Sequence, residues 1–132
     1  MKVKLIALFS LSLLLSSCGD SIKDGLDKQI LGTDSIKIYF LSEKDNTTQK
    51  VVTISDNNEI ENIIASISDE KSEQYKCGYS GQMDFYEKGR IILTPEFNSN
   101  PDCAHYVFRY KDKMYHKKMS NEGQKFLSGI SK

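Results

Sequence analysis

Residues 103–119 read Cys103-Ala104-His105-Tyr106-Val107-Phe108-Arg109-Tyr110-Lys111-Asp112-Lys113-Met114-Tyr115-His116-Lys117-Lys118-Met119. Two sets of side chains alternate along its first half, and the charged segment 111–113 separates that half from the second. Alternation with a period of two is the pattern of a β-strand whose two faces differ. The stretch therefore predicts an antiparallel hairpin of two strands, residues 103–110 and 114–119, which sets the class of fold.

The same pattern extends in the N-terminal direction. Residues 82–86 and 90–97 alternate in the same way around a turn at Gly89, and Pro95 indicates an edge position or a strand end. Together with the hairpin they predict a four-stranded meander. Residues 36–41 and 50–55 predict an earlier hairpin, because both are rich in strand formers.

Two amphipathic helices complete the pattern. Ile60, Ile63, Ile64 and Ile67 recur at helical spacing after a capping segment, which predicts a helix at residues 59–69. Ser120 predicts the start of a closing helix. The order β-β-α-β-β-β-β-α predicts an α+β fold of two layers, an antiparallel sheet covered by helices on one face.

Composition limits the classes of function. The 132 residues carry 18 basic and 18 acidic side chains, so there is no overall charge bias toward nucleic acid. The length allows one domain, which we assign to residues 36–132. No nucleophile-elbow pattern, phosphate-binding loop or cofactor motif is present in the sequence. We therefore expect a non-catalytic protein without a cofactor.

The N-terminal segment has the layout of an export signal. Lys2 and Lys4 precede an apolar run at residues 5–15, which is shorter than the roughly 20 residues that span a bilayer. The motif Leu15-Ser16-Ser17-Cys18 resembles the lipobox of bacterial lipoproteins. This resemblance implies a signal peptide at residues 1–17, acylation of Cys18 and a tether at residues 18–35. Gly19 resembles the residue of outer-membrane lipoproteins, so we expect lipid anchoring in the cell envelope, with the outer membrane favoured over the inner one.

The lipobox changes the interpretation of the cysteines. If Cys18 carries lipid, Cys77 and Cys103 remain as a pair, and an oxidising envelope favours a disulfide between them. The alternative is a metal site, because His105 shares a strand face with Cys103 and His116 lies on the next strand. Neither cysteine has a second ligand at zinc-signature spacing, so we expect the disulfide and no metal.

Tyrosines and lysines in the C-terminal half suggest a binding surface. Tyrosine is favoured at interfaces because it joins a large apolar ring to a polar tip, and basic residues attract acidic partners. The candidate partner-binding residues are Tyr106, Tyr110, Tyr115, Lys117 and Lys118. We expect an envelope binding module for a protein partner, of the inhibitor or immunity type. A metal- or small-ligand-binding lipoprotein using His105 and His116 is the alternative, and a hydrolase is third.

Short motifs in the second half also resemble small lipoproteins of Gram-negative bacteria. They are Cys77-Gly78-Tyr79-Ser80-Gly81, Met83-Asp84-Phe85-Tyr86, Phe97-Asn98 and Cys103-Ala104-His105. The resemblance covers residues 75–127 and implies a meander closed by a disulfide. It implies no activity.

Overall fold

The computed structural model describes residues 22–73 and 76–132. The predicted signal peptide, the lipobox and Cys18 lie outside these residues. The elements in chain order are α1 (Ile22–Ile30), β1 (Ser35–Leu41), β2 (Thr48–Ile54), α2 (Asn57–Ala65), β3 (Ile67–Lys71), β4 (Gly81–Glu87), β5 (Arg90–Leu93), β6 (Glu96–Asn98), a 3-10 turn (Pro101–Cys103), β7 (His105–Tyr110), β8 (Lys113–Met119) and α3 (Asn121–Ile130).

The strands of the described residues form one open antiparallel sheet. Its order is β2-β1-β4-β6-β7-β8-β3, and β5 pairs with the far end of β4. The predicted α+β class is confirmed, and so are the first hairpin and the hairpin of β7 and β8. β2 and β3 are the two edges of the main path.

The core lies between one face of this sheet and the helices. Alternating residues of β1, Ile36, Ile38 and Phe40, are 0–5% exposed and join the same cluster as Phe97 and Tyr106. Each helix adds apolar side chains to this cluster: Leu26 and Ile30 from α1, Ile60 and Ile63 from α2, and Leu127 from α3. In the part of the chain that the structure describes, the helices therefore cover one face of the sheet, as the sequence predicts.

Helix α2 is shorter than predicted. It begins after Asp56, whose carboxylate accepts the Glu59 N–H, and it ends at Ala65. Ser66 then leaves the helix, and its carbonyl accepts the N–H of Ser120. Ile67 pairs with Met119 at the start of β3. The free edge of β8 thus recruits residues 67–71, which the isoleucine pattern assigns to the helix.

Residues 22–35, the described part of the predicted tether, are not a linker throughout. From Ile22 to Ile30 they form α1, and Leu26 and Ile30 are 3% and 1% exposed. Burial of these two side chains against the sheet stabilises the helix despite Gly25. The packed part of the chain therefore begins before residue 36.

The predicted strand at residues 90–97 is interrupted. It forms β5 and β6, with Thr94 and Pro95 between them. The Pro95 carbonyl still accepts the Met83 N–H, so of the two predicted positions for Pro95, an edge or a strand end, the strand end is confirmed. Separately, none of the helices within residues 22–73 and 76–132 is long and apolar enough to cross a membrane.

Candidate functional site

The second face of the sheet carries no helix among the described elements, and we call it the uncovered face. A row of residues crosses it in register from β1 to β8: Tyr39, Gln82, Glu96, Val107 and His116. The adjacent positions on each strand point to the core, since side chains alternate along a strand. The row therefore places polar and aromatic groups from four strands on this face, whereas Val107 on β7 is apolar and 3% exposed.

Asp84 on β4 also lies on the uncovered face, opposite Lys37 on β1. It is 7% exposed, and its Oδ1 accepts hydrogen bonds from Thr94 Oγ1 at 3.0 Å and Gln82 Nε2 at 3.3 Å. Partial burial and the negative charge of Asp84 raise the pKa of the neighbouring Tyr39. Lys37 is the cross-strand neighbour of Asp84, and its Nζ lies 5.9 Å from the centre of the Tyr39 ring. These contacts hold an aromatic ring beside a carboxylate and an ammonium group.

A second tyrosine–carboxylate pair lies near the disulfide. Partial burial and Glu96 raise the pKa of Tyr79. The Tyr79 ring centre is 6.1 Å from that of His105, whose Nδ1 is hydrogen-bonded to the Cys103 carbonyl. His105 is 3% exposed, so its ring is a packed part of the sheet and not a solvated strand residue.

The β7–β8 end of the face is basic. Arg109 and Met114 are opposite each other and exposed, and Lys118 is opposite His105. Lys118 Nζ contacts Glu70 Oε2 at 2.8 Å, and this hydrogen bond and charge lower the pKa of Glu70. An exposed pair of this kind contributes little stability.

The structure corrects the predicted partner-binding set. Tyr106 and Tyr110 are 0% and 7% exposed and point to the core. Lys117 is on the same face, 9% exposed, and its Nζ donates to the Asp69 carbonyl at 2.7 Å. Tyr115 is half-buried and stacks on Phe108 with ring centres 5.8 Å apart. Only Lys118 of the five is exposed and lies on the uncovered face.

The alternation along β7 already indicates which of its residues are buried. The set Tyr106, Phe108 and Tyr110 is wholly aromatic, whereas the alternate positions include His105 and Arg109. The more apolar set faces the core because its burial is worth more. In β1 the same logic separates Ile36, Ile38 and Phe40 from Lys37 and Tyr39, which the sequence-based site missed.

The predicted disulfide is confirmed. Cys77 and Cys103 are bonded, with their Cα atoms 6.5 Å apart. Both sulfur atoms are thereby unavailable as thiolate ligands, so the two-cysteine, two-histidine site is not formed. No group of three or more His, Cys, Asp or Glu in residues 22–73 and 76–132 is arranged to hold a metal ion.

Comparisons with known proteins add no identity. No protein-family model, curated protein or solved structure matches this chain. The chemistry of the uncovered face and the N-terminal sequence are therefore the features that indicate a function.

Proposed function

We propose that this protein is a lipid-anchored, non-catalytic module of the cell envelope that binds a protein partner on the uncovered face. The observation that carries the proposal is the difference between the two faces of the sheet. Among the described elements the helices cover one face, and the other carries aromatic and polar side chains in register on four strands, namely Tyr39, Gln82, Glu96 and His116. An inhibitor or immunity protein needs such a rigid surface and no reactive group.

The composition of the face supports a protein partner. Tyr39 and Tyr86 are half-buried and combine contact area with polar tips. Arg109 adds a planar cation that recognises carboxylates, and Met114, 50% exposed, adds an adaptable apolar contact. Strands hold these side chains more firmly than loops would, so little conformational entropy is lost when a partner binds.

Lipid anchoring is supported by the lipobox-like motif that ends at Cys18. Two or more acyl chains give stable membrane attachment, whereas one exchanges. We expect Cys18→Ser to move the protein from the membrane fraction to the soluble fraction and to abolish incorporation of labelled palmitate. Ser17→Ala is the matched control, because it keeps a small residue before the cysteine. Continued membrane attachment and labelling of the Cys18→Ser protein would refute the anchor.

The partner face is tested by cross-linking and affinity capture from envelope extracts, with identification of the captured protein. Arg109→Glu combined with Lys118→Glu reverses two exposed charges on the face, and we expect loss of the partner. Lys125→Glu reverses one exposed charge on α3, on the helical layer, and should leave capture unchanged. Reversal of Lys117 is unsuitable because its ammonium group is bound in the core layer.

Two results would contradict this surface. One is capture of the same partner at undiminished yield by the double variant. The other is loss of the partner with Lys125→Glu alone. Circular dichroism of each variant verifies that the fold is retained, so that loss of capture reports on the surface.

A further inference from the structure

A separate groove lies at one end of the sheet, and we call it the end groove. It is lined by residues 42–44, 46 and 47 of the β1–β2 loop and by the loop Cys77 to Ser80. Residues 98–100 and Ser131 also line it. Its volume is about 910 Å³, which is within the usual range for a small-molecule site.

The groove is held in shape by a hydrogen-bond network. Asn98 is 5% exposed; its Nδ2 donates to the Gly78 carbonyl at 3.0 Å, and its Oδ1 accepts the Asn100 N–H at 2.8 Å. The Leu41 N–H donates to the Ser80 carbonyl at 2.9 Å, which ties the end of β1 to the loop Cys77 to Ser80. The Cys77–Cys103 bond fixes the same loop. A site held in this way loses little entropy when a ligand enters.

The lining is polar but almost uncharged. Its hydroxyl and amide side chains are Ser42, Asn46, Thr47, Gln49, Ser80, Asn98, Ser99, Asn100 and Ser131. Such groups both donate and accept hydrogen bonds. The charged residues of the lining, Glu43 and Lys44, have opposite signs. The ring of Tyr79, 39% exposed, stands at the rim.

This chemistry selects a class of ligand. A phosphate or other anion would require several cationic groups, and Lys44 is the one lysine or arginine in the lining. An apolar ligand would require apolar walls, whereas Phe40 in this lining is 5% exposed. A neutral ligand rich in hydroxyl groups satisfies the hydroxyl and amide side chains, and the apolar face of a sugar ring can lie on the Tyr79 ring. We propose that the end groove binds a neutral oligosaccharide.

The inference is independent of the proposed protein partner, since the groove and the charged positions tested above are formed by different residues. The test uses the full chain in detergent micelles, titrated with two probes and followed by backbone amide NMR shifts. Chitotetraose represents acetamido sugars of wall-type glycans, and maltotetraose represents plain glucans. We expect saturable shifts for at least one probe, confined to residues 41–49, 77–80 and 98–100. Absence of saturable shifts with both probes at about 10 mM, or shifts concentrated elsewhere, would overturn the proposal.

Variants separate stacking from nonspecific contact. Tyr79→Ala should weaken binding of the responsive probe about tenfold, and Tyr79→Phe, which keeps the ring, should retain most of the affinity. Gln49→Ala removes an amide of the lining and should also weaken binding. Thr53→Ala alters an exposed position of the same strand outside the groove and is the matched control. Unchanged affinity of both Tyr79→Ala and Gln49→Ala would refute the groove as the binding site.

Discussion

Gly81 shows how one residue position determines the packing between neighbouring strands of the sheet. It stands between Phe40 on β1 and Phe97 on β6 in the core-facing row, and the two rings meet edge to face at 5.8 Å. A Cβ added at Gly81 would lie 2.3 Å from the Tyr39 carbonyl oxygen and 2.7 Å from Phe97 Cζ. The absence of a side chain at this position is therefore what allows Phe97 to fill the core.

We predict that Gly81→Ala lowers the free energy of unfolding by about 1–3 kcal/mol or more, because backbone and ring must both shift. Gly129→Ala is the control: it lies in α3, where nothing stands within 4 Å of the new Cβ. That variant should gain up to about 1 kcal/mol from helix propensity. Urea unfolding of both proteins measures the difference. Equal stability of the two variants would contradict the packing at Gly81.

Tyr106 gives a second prediction at the residue scale. Its ring is fully buried, its hydroxyl hydrogen-bonds Ser66 Oγ at 2.6 Å, and burial raises its pKa far above the ordinary value. Below about pH 10 the tyrosine is protonated in both the folded and the unfolded chain. Above it the unfolded chain releases the proton while the folded one keeps it, so stability falls with rising pH. The expected slope is about 1.4 kcal/mol per pH unit for this group.

Tyr106→Phe should remove that contribution, at a cost of about 1 kcal/mol near pH 7 from the lost hydrogen bond. The pKa values of Tyr39 and Tyr79 are raised too. Both remain in the variant, so the difference between the two proteins isolates Tyr106. Free energies of unfolding measured from pH 8 to 11 should converge as the pH rises. Parallel curves would show that Tyr106 ionises as freely in the folded protein as in the unfolded chain.

At the scale of elements, the sequence predicts strands and helices where one side-chain period dominates. β1, β2, β7, β8 and α3 are of this kind. It does not predict β3, because Ile67 fits the isoleucine spacing of α2 while its real partner is Met119, 52 positions along the chain. Long-range pairing with the free edge of β8 overrides the local pattern. The sequence likewise does not show that α1 is packed. The helical spacing of its apolar residues is marginal, and the burial of Leu26 depends on contacts with the sheet.

Helix α1 yields a prediction that separates a tether from a packed element. Leu26 is 3% exposed and belongs to the core cluster, whereas Leu31, just beyond the helix, is 83% exposed. Leu26→Ala should lower the free energy of unfolding by about 2–5 kcal/mol. Leu31→Ala, the same chemical change outside the core, should alter it by less than about 0.5 kcal/mol. If thermal or urea unfolding gave equal values for both, α1 would not be part of the folded unit.

At the scale of the whole molecule, the two faces of the sheet differ in what they contact. The helices pack on one face, and no helix among the described elements covers the other. The alternation in β7 reveals two faces and indicates that the more apolar one is inward, and the neighbouring strands complete that inward face. Tyr106 faces inward because it continues the row of Phe40, Gly81 and Phe97. This register, which joins segments far apart in the chain, also assembles the uncovered face. A surface whose residues come one by one from separate strands leaves no contiguous motif in the sequence, so a motif search could not find it.

The disulfide connects this architecture to the end groove. It joins residues 26 positions apart, from the loop before β4 to the 3-10 turn before β7. On the loop-entropy model, a bridge over that distance stabilises a protein by about 3–4 kcal/mol, chiefly by restricting the unfolded chain. We predict that Cys77→Ala combined with Cys103→Ala lowers the free energy of unfolding by that amount. The urea m-value should rise, because the unfolded chain without the bridge is less compact.

Reduction of the wild-type protein with dithiothreitol is the matched control, since it breaks the bond without substituting a side chain. Equal losses in the reduced protein and the double variant assign the effect to the bond itself. In the folded state the Asn98 hydrogen bonds to Gly78 and Asn100 should still hold the loop, so near-ultraviolet circular dichroism should change little. A loss below about 1 kcal/mol with an unchanged m-value would contradict the entropic role of the bridge.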